Sequence, residues 1–308
     1  MGYDLIGDIH GEAPTLRAML EKLGYQDTET GYAHPDNRIV IFVGDLVDRG
    51  LWQREVIHIV RSMMDSGRAL CVMGNHEFNA IAYGTLGPNG RPLREHSAKN
   101  VKQHKEFIAA FEGSEPEYQD TLEWLGTLPL WIDLPEIRVI HACWDQQAID
   151  FLLARYGKPV LTDELLVQAS TWDTKEYLAL ETLLKGKEIS LPDGAFYHDK
   201  EGTLRTVMRT QWWGSTGTYR DCYMGPEEAR DNIPDVPIVG NPLVHYSHDE
   251  IPVFIGHYWL DGDPEPLSEN IVCLDYSVAK PGGWLVAYRF DGESVIDRSR
   301  FVSVPRLN

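Results

Sequence analysis

The sequence predicts an α/β sandwich, and the order of its apolar and polar segments is the main reason. In the first 80 residues, a short apolar run, a polar turn and a stretch of helical periodicity follow one another repeatedly. Strands that alternate with helices in this way are typical of α/β proteins. The chain has 308 residues, 43% of them hydrophobic, which is enough to fill one large core.

The N-terminal part is predicted to contain three strands and two helices. The strands fall on the apolar runs at residues 3–6, 38–43 and 69–73, and the helices on the amphipathic stretches at 13–23 and 52–66. Each strand runs into a polar turn that contains Gly together with Asp, or with Asn and His. These turns are therefore the first place to look for functional side chains.

The remainder of the chain continues the mixed pattern. Residues 97–128 have a polar helical periodicity that predicts two surface helices. The later predicted elements are, in chain order, strands at 130–134 and 137–140, helices at 145–155, 162–170 and 174–184, and strands at 253–255, 271–274 and 284–290. Between the last helix and the next strand lies a segment richer in Pro and Gly that contains Trp212 and Trp213.

The net charge argues against nucleic acid as a partner. Asp and Glu number 47 against 28 Lys and Arg, for a formal net charge of -19. The resulting negative field repels a nucleic-acid backbone. A protein of this charge that binds phosphate needs a local positive charge, and a bound metal ion supplies one.

Cysteine usage and the N-terminus predict a soluble protein of the reducing cytoplasm. The four cysteines, Cys71, Cys143, Cys222 and Cys273, have no short Cys-x-x-Cys spacing, and three of them lie in or beside apolar runs. The N-terminus lacks a basic region followed by an apolar one, and no apolar run reaches the roughly 20 residues that span a bilayer. We therefore expect no export signal and no membrane partner.

Two polar motifs follow the first two predicted strands. Asp8 and His10 lie in Gly-Asp-Ile-His-Gly, where the flanking glycines permit a tight turn. Asp45, Asp48 and Arg49 lie in Gly-Asp-Leu-Val-Asp-Arg-Gly on one short loop. Taken alone, the first motif is compatible with a solvated loop and the second with a surface salt-bridge cluster.

The third strand ends in Gly-Asn-His-Glu, which brings Asn75 and His76 to the same region. A simple Asn-His turn explains this motif when it is considered alone. All three motifs, however, follow the carboxyl ends of predicted strands, where open α/β sheets place their ligands. Their joint occurrence favours one shared site over three unrelated turns.

Two histidines have the same placement later in the chain. His141 and His257 each follow a short apolar, strand-like run directly, although a lone histidine of this kind is more often structural. The other histidines lack this placement and are interpreted as surface or loop residues: His34, His58, His96, His104, His198, His245 and His248.

The ordered motifs, together with the two later histidines, resemble the calcineurin-like metallophosphoesterase superfamily. The Asp-Arg-Gly form is similar to that of the PPP-type phosphatases, which include bacterial Ser/Thr phosphatases and diadenosine tetraphosphate hydrolases. The resemblance implies a sandwich of two mixed β-sheets flanked by helices (αββα). It also implies one domain over residues 1–308 with a helical cap insertion at about 145–250, because the two histidines are far apart in sequence.

The resemblance further implies a dinuclear metal centre. Carboxylate, amide and imidazole ligands suit Mn, with Fe or Zn as alternatives. By this resemblance the residues that hold one metal ion are Asp8, His10 and Asp45, and those that hold the other are Asp45, Asn75, His141 and His257.

In this family the metal ions share a hydroxide that attacks phosphorus. His76 then corresponds to the general acid, Asp48 to the carboxylate that orients it, and Arg49 to a clamp on the phosphoryl oxygens. A second phosphate-binding arginine is expected between the last two histidines, with Arg209 and Arg205 as candidates, although an ordinary exposed arginine explains either one equally well.

The function implied is a metal-dependent phosphohydrolase that acts on a phosphate monoester or a phosphoanhydride such as a dinucleoside polyphosphate. Two alternatives stay open, a phosphoprotein Ser/Thr phosphatase and a non-catalytic metal-binding scaffold on the same fold. A large cap favours a small phosphorylated molecule over a phosphoprotein. Trp172, Trp212 and Trp213 of the cap would stack on a nucleobase or pack in a core, and packing is the commoner use. The oligomeric state stays open.

Overall fold

The computed structural model describes residues 2–192, 194–198, 202–214, 217–240 and 242–307. Its helices in these ranges are α1 Ala13–Leu23, α2 Gln53–Asp65, α3 Asn75–Gly84, α4 Ala98–Gln103, α5 Lys105–Ala110, α6 Glu115–Gly126, α7 Gln146–Tyr156, α8 Asp163–Ala169, α9 Lys175–Lys185 and α10 Glu227–Arg230. The strands are β1 Tyr3–Ile6, β2 Gln26–Thr28, β3 Gly31–Ala33, β4 Ile39–Phe42, β5 Ala69–Cys71, β6 Trp131–Leu134, β7 Ile137–Ile140, β8 Glu188–Ser190, β9 Tyr197–His198, β10 Leu204–Arg205, β11 Val207–Arg209, β12 Val253–Ile255, β13 Ile271–Cys273, β14 Asp275–Tyr276, β15 Trp284–Phe290 and β16 Phe301–Pro305.

Two mixed β-sheets form the centre of the molecule. The larger sheet has the order β14-β15-β1-β4-β5, with β16 added to β15. Its central strands β1, β4 and β5 are parallel, whereas β15 pairs with β1 in the antiparallel direction. The smaller sheet has the order β13-β12-β7-β6, in which β12 is parallel to both β13 and β7 and β6 is antiparallel to β7.

Residue alternation along the strands explains why helices cover this pair of sheets. Leu5 and Ile41 belong to a core that also contains Val139 and Phe254 of the other sheet, so this core lies between the sheets. The neighbouring residues, such as Ile6, belong instead to the core that contains the helices. Successive side chains of a strand point to opposite faces, so each strand contributes to both cores. The layers are helix, sheet, sheet and helix, which confirms the predicted αββα fold.

The segment at about 145–250, expected to be a helical cap, has two parts. Its helices α7, α8 and α9 contribute residues to the main core, for example Leu152 and Leu183. The following part is mostly turns and irregular structure with four short strands, in which β8 pairs with β11 and β9 with β10. These strands enclose a small core of their own that includes Ile189, Met208 and Tyr223. The helical description therefore fits the first part of the segment, whereas the described residues of the second part contain one short helix, α10.

Two further features differ from the sequence-based expectations. Residues 97–128 form three helices rather than two, and Phe107 and Leu125 on them are completely buried. The Asn-His motif is the first turn of a helix, α3, which was not predicted as a separate element. Among the described helices, none combines the length and the apolar character that a membrane span requires.

Parallel strand direction brings the polar motifs together. The strands β1, β4 and β5 end shortly before the three motifs, and β7 and β12 end shortly before His141 and His257. Because parallel strands present their carboxyl ends at one edge of a sheet, these loops converge. The site is therefore built at the carboxyl ends of strands from both sheets.

Candidate active site

The motif loops are held against each other by backbone hydrogen bonds. The N–H groups of Ile9 and His10 donate to the carbonyl of Asp45 at 3.0 and 2.9 Å. A Cβ atom at Gly74 would lie only 2.3 Å from the backbone nitrogen of Asp45, so this contact between two motifs requires glycine. His10 and Asp45 have positive φ angles of 47° and 51°, which few L-residues adopt. Such backbone strain is typical of functional sites.

Glu77 fixes the loop that carries Asp45. Its Oε2 atom accepts from the backbone N–H groups of Asp45 and Gly74 at 2.8 Å. Its Oε1 atom accepts from Leu46 at 2.8 Å and from Val47 at 3.2 Å. Burial, followed by the field of Asp45, raises the pKa of Glu77 to about 7. The side chain is completely buried and joins the second motif to the third.

Two groups of side chains have the arrangement that a metal ion needs. His10, Asp45 and His76 form one group, and Asp45, His141 and His257 form the other, with the candidate ligand atoms within each group no more than 4.8 Å apart. The Asp45 carboxylate belongs to both groups. Its Oδ2 lies 3.6 Å from His10 Nε2, and its Oδ1 lies 3.3 Å from His141 Nε2.

The remaining predicted ligands lie beside these groups. The Oδ1 atom of Asn75 is 2.7 Å from His257 Nδ1 and 3.2 Å from His141 Nε2. Asp8 accepts the backbone N–H of His257 through Oδ2 at 3.0 Å. The structure thus brings all six predicted ligands together, although Asp8 belongs to neither three-residue group.

Hydrogen bonding prepares two of the imidazoles as ligands. The Nδ1–H of His10 donates to the carbonyl of Val47 at 3.0 Å, and that of His141 donates to the carbonyl of Val43 at 2.8 Å. A carbonyl accepts only, so Nδ1 carries the proton and the Nε2 lone pair of a neutral ring is directed into the site. This is the tautomer in which histidine binds metal ions through Nε2.

Several buried atoms of the site have no hydrogen-bond partner. Among the described residues, they include Asp8 Oδ1, His10 Nε2 and His257 Nε2. An unpaired buried polar atom is costly, and native proteins rarely leave several at one place. Asp8 Oδ1 and His10 Nε2 are potential metal ligands, whereas His257 faces Asn75 Oδ1 through its other nitrogen, Nδ1. The residues present therefore fit the divalent ions that the sequence motifs imply.

The charges of the site lead to the same conclusion. Burial raises the pKa of Asp8 well above its usual value, and the nearby carboxylates of Asp275 and Asp45 add to this effect. Burial and then His76 lower the pKa of His10 to about 3, so this ring is neutral. At His141 burial lowers the pKa, but the carboxylate of Asp45 outweighs burial and raises it. Divalent cations would neutralise the crowded carboxylates.

His76, Asp48 and His104 form a continuous hydrogen-bonded row. The Nδ1 atom of His76 lies 2.5 Å from Asp48 Oδ2, as expected if Asp48 orients the ring. The other oxygen, Asp48 Oδ1, lies 2.6 Å from His104 Nδ1. Burial alone would raise the pKa of Asp48, but the hydrogen bonds from His104 and His76 hold it below its usual value. Asp48 is therefore a carboxylate with two imidazole partners.

The interpretation of His104 as a surface or loop histidine is wrong. Its side chain is 4% exposed and its ring stacks on Phe107. It lies at the end of α4, far in sequence from every motif, and no strand precedes it. The placement rule that selected His141 and His257 therefore excluded it, although it reaches the site through a helix.

Replacement of His104 by alanine is expected to remove one of the two partners of buried Asp48. We expect the free energy of unfolding to fall by about 1–3 kcal/mol and kcat to fall about 10-fold, as for residues that orient a catalytic group. His104→Asn, which keeps an N–H donor near the position of Nδ1, should recover part of both losses. Chemical denaturation and steady-state kinetics measure these effects, and unchanged values for both variants would contradict the role assigned to His104.

A cavity of about 400 Å³ opens beside the metal-ligand groups. Asp45, Asp48, Asn75, His76 and His257 line it on the side of the motifs. The cationic side chains that line it are Arg49, Arg94, Lys99, Lys185, Arg205 and Arg209. In a chain of net charge -19, this local concentration of positive groups marks an anion site.

The three predicted phosphate-binding arginines all line this cavity. Arg49 lies over the Trp259 ring, with its Cζ atom 4.0 Å from the ring centroid. The Nε atom of Arg209 is buried and, in the described part of the chain, has no hydrogen-bond partner, while its Nη2 is 3.8 Å from Glu188 Oε1. Arg205, on β10, lines the same space. The structure places these side chains near the site but does not choose between Arg205 and Arg209.

The tryptophan that lines the cavity is Trp259, which was not among the stacking candidates of the sequence analysis. Trp259 lines it, whereas Trp212 is buried and donates its Nε1–H to the carbonyl of Ala142 and to Tyr258 Oη. Trp172 is largely exposed, at 78%. Asp275 accepts the backbone N–H of Trp259 at 2.7 Å and so fixes the loop that carries it. Asp275 follows a predicted strand, so the placement rule used for the histidines would have found it.

Comparison with protein families gives one decisive match. The family model described as calcineurin-like phosphoesterase matches residues 3–258. The chain belongs to the calcineurin-like phosphoesterase family. This confirms the family predicted from the motifs, and the matched region includes the last metal-ligand candidate, His257.

Individual relatives of this phosphoesterase include two bacterial enzymes named for one substrate class. The asymmetrical bis(5'-nucleosyl)-tetraphosphatase PrpE of Halalkalibacterium halodurans is 46% identical over 171 residues, which are 53% of this chain and 63% of that protein. The symmetrical bis(5'-nucleosyl)-tetraphosphatase of Pasteurella multocida is 26% identical over 89% of each chain. The chain thus spans less than two thirds of the length of the PrpE relative.

Solved structures agree with the fold. A cold-active protein-tyrosine phosphatase from a psychrophilic Shewanella species aligns with a TM-score of 0.50 and 18% identity, over 93% of this chain and 75% of that one. At this identity the likeness concerns the fold alone. It supports the two-sheet architecture.

Proposed function

We propose that this phosphoesterase is a dinuclear metal-dependent hydrolase that cleaves a phosphoanhydride bond of a dinucleoside polyphosphate. The observation that carries the proposal is the pair of ligand groups that share Asp45, directly beside a cavity lined by cationic side chains. Both ligand groups and the cationic wall suit a phosphorylated substrate, and the tetraphosphatase names of the two bacterial relatives support the anhydride.

The proposed metal ligands are those that the sequence motifs imply. One ion would be held by Asp8, His10 and Asp45, and the other by Asp45, Asn75, His141 and His257. Bound divalent ions would supply a nucleophile at neutral pH and Lewis-acid polarisation of the phosphoryl oxygens. The mixture of oxygen and imidazole donors supports Mn, with Fe or Zn as alternatives.

His76 is the proposed general acid. Its Nδ1 is bonded to Asp48 and its Nε2 lies 3.9 Å from Asp45 Oδ2, so Nε2 faces the ligand groups. Burial alone would lower the pKa of His76, but Asp45 and Asp48 outweigh burial and raise it above its usual value. A raised pKa favours the protonated ring, which is the form that a general acid needs.

Arg49 and Arg209 are the proposed phosphate-binding residues, with Arg205 as the alternative to Arg209. A guanidinium donates two parallel hydrogen bonds to a phosphate, so it holds the phosphoryl group in one orientation. Arg49 comes from the motif loop and Arg209 from the inserted segment, so their positions support a substrate bound between the two. A substrate confined in this way is more compatible with a small molecule than with a folded phosphoprotein.

The proposal is tested with metal-stripped protein that is reloaded with Mn. We expect hydrolysis of diadenosine tetraphosphate and of p-nitrophenyl phosphate that depends on added metal, with the higher kcat/KM for the tetraphosphate. Reloading with Fe or Zn in parallel ranks the metals. Metal-bound protein that hydrolyses neither compound would contradict the proposal and favour a scaffold role, whereas turnover of a phosphopeptide alone would favour a phosphoprotein phosphatase.

A further inference from the structure

Arg94 is a cationic side chain of the cavity that has no role in the reaction described above. It follows α3, and its guanidinium Nη2 donates to Asn100 Oδ1 at 3.0 Å and to Gln103 Oε1 at 2.8 Å. Both acceptors are neutral amides. In the part of the chain that the structure describes, no ion pair joins Arg94 to a carboxylate, although the side chain is half-buried.

An arginine whose hydrogen bonds go only to neutral amides is unusual in this protein. Most described arginines contact a carboxylate, for example Arg38, which lies 2.9 Å from Asp4, and Arg138, which lies 2.7 Å from Glu250. With 47 acidic residues in the chain, a carboxylate partner is readily available at most positions. The carboxylates of Asp48 and Glu181 act on Arg94 only through their electrostatic field, so this guanidinium can still form a direct ion pair with a bound anion.

The surroundings of Arg94 keep it in place. Its backbone N–H donates to the carbonyl of Ala82 at 2.9 Å, which ties the segment to α3. Asn100, one of its two amide partners, donates its own Nδ2–H to the carbonyl of Glu95 at 2.7 Å. The side chain of Ser97 caps the helix that carries Asn100 and Gln103. The guanidinium is therefore oriented before any ligand arrives, which reduces the entropic cost of binding.

Arg94 lies in the same cavity as the groups proposed to carry out the reaction. It lines the same cavity as Asp45 and His76, together with Arg49 from the motif loop and Arg209 from the inserted segment. Arg49 and Arg209 already account for the phosphoryl group that reacts. An additional guanidinium in the same cavity would contact no phosphate group if the substrate carried a single phosphate.

We propose that Arg94 binds a phosphate group of the substrate other than the one that is hydrolysed, and that it thereby selects oligophosphates over simple phosphate monoesters. This inference rests on the proposed phosphohydrolase function. It assigns the specificity for a phosphate chain to a residue outside the sequence motifs, oriented by the amides of Asn100 and Gln103.

The test compares substrates and ligands that differ in the number of phosphates. For Arg94→Ala, we expect the ratio of kcat/KM on diadenosine tetraphosphate to kcat/KM on p-nitrophenyl phosphate to fall about 10- to 100-fold, the range for loss of a charged hydrogen bond. Arg94→Lys keeps the charge but loses the planar fork, so it should recover only part of the ratio. Arg91→Ala, in the same connection and exposed, is the matched control and should leave the ratio unchanged.

A binding measurement separates this inference from the proposed function. Isothermal titration calorimetry of Mn-loaded protein with inorganic tripolyphosphate and with orthophosphate needs no turnover. We expect Arg94→Ala to weaken tripolyphosphate binding about 10- to 100-fold relative to orthophosphate binding. Equal weakening of both ligands, or of neither, would overturn the inference. A larger effect of Arg94→Ala on a phosphopeptide than on diadenosine tetraphosphate would also overturn it, since the anion would then be an acidic side chain.

Discussion

Asp45→Asn is expected to lower kcat/KM on diadenosine tetraphosphate by about 10³-fold or more, since several kcal/mol of transition-state stabilisation depend on the metal centre. The Asp45 carboxylate is the only side chain that belongs to both three-residue ligand groups found among the described residues. Its Oδ1 also accepts the backbone N–H of His76 at 2.9 Å. An asparagine keeps the shape but removes the negative charge that both ions would share.

The control for this variant is another buried aspartate. Asp4 lies within β1, before the motif loop that follows this strand. It is completely buried and accepts hydrogen bonds from Tyr25, Arg38 and Arg289. We expect Asp4→Asn to lower the free energy of unfolding by about 3 kcal/mol while the folded fraction keeps its kcat. If Asp45→Asn retained activity at saturating Mn, Asp45 would not be the shared ligand.

His76→Ala is expected to lower kcat about 10²- to 10⁴-fold, the usual contribution of a general acid. The loss should depend on the leaving group, because p-nitrophenolate departs with little protonation whereas the poorer leaving group of phenyl phosphate needs the proton. We therefore expect a larger loss on phenyl phosphate. His76 lies in the group with His10 and Asp45 but is not one of the six proposed ligands, so an acid role predicts unchanged metal content. An equal loss on both substrates would show that His76 does not donate a proton to the leaving group.

The pH profile gives an independent test of His76. A general acid acts in its protonated form, so wild-type kcat should fall as pH rises through the pKa of His76, which is raised above 6.5. Since the Asp48 carboxylate contributes to that increase, Asp48→Asn should move the alkaline limb to lower pH. His76→Ala should lose this limb altogether. A limb that stays in place in both variants would belong to another group.

Much of the fold and the site follows from local sequence patterns. The strands around residues 39–42 and 253–255 are short apolar runs that end at polar motifs, and the structure has them within a residue or two of the predicted bounds. The alternation of Leu5 and Ile6 between two cores is likewise a local property. Motif residues such as Asp45 could be recognised because each one follows its strand at a short, fixed distance.

The rest depends on contacts between distant residues. His104 and Asp48 are 56 positions apart, and the helix that brings them together carries no motif. Arg94 is distinguished by hydrogen bonds to the two amides of Asn100 and Gln103 in place of an ion pair, which only the folded structure reveals. The strands β8 to β11 after α9 have only two or three residues each, and β8 pairs with the distant β11. Their apolar residues build a small core but are too few and too scattered to produce a clear periodic pattern.

The most direct test of the account is the number of metal ions that each chain binds. Metal-stripped protein is titrated with Mn, desalted and analysed by inductively coupled plasma mass spectrometry, with hydrolysis of diadenosine tetraphosphate measured at each step. Two adjacent ligand groups predict about two equivalents of Mn per chain, with activity that reaches its maximum only as the second site fills. Full activity with one equivalent bound, or activity without any bound metal, would contradict a dinuclear centre organised around Asp45.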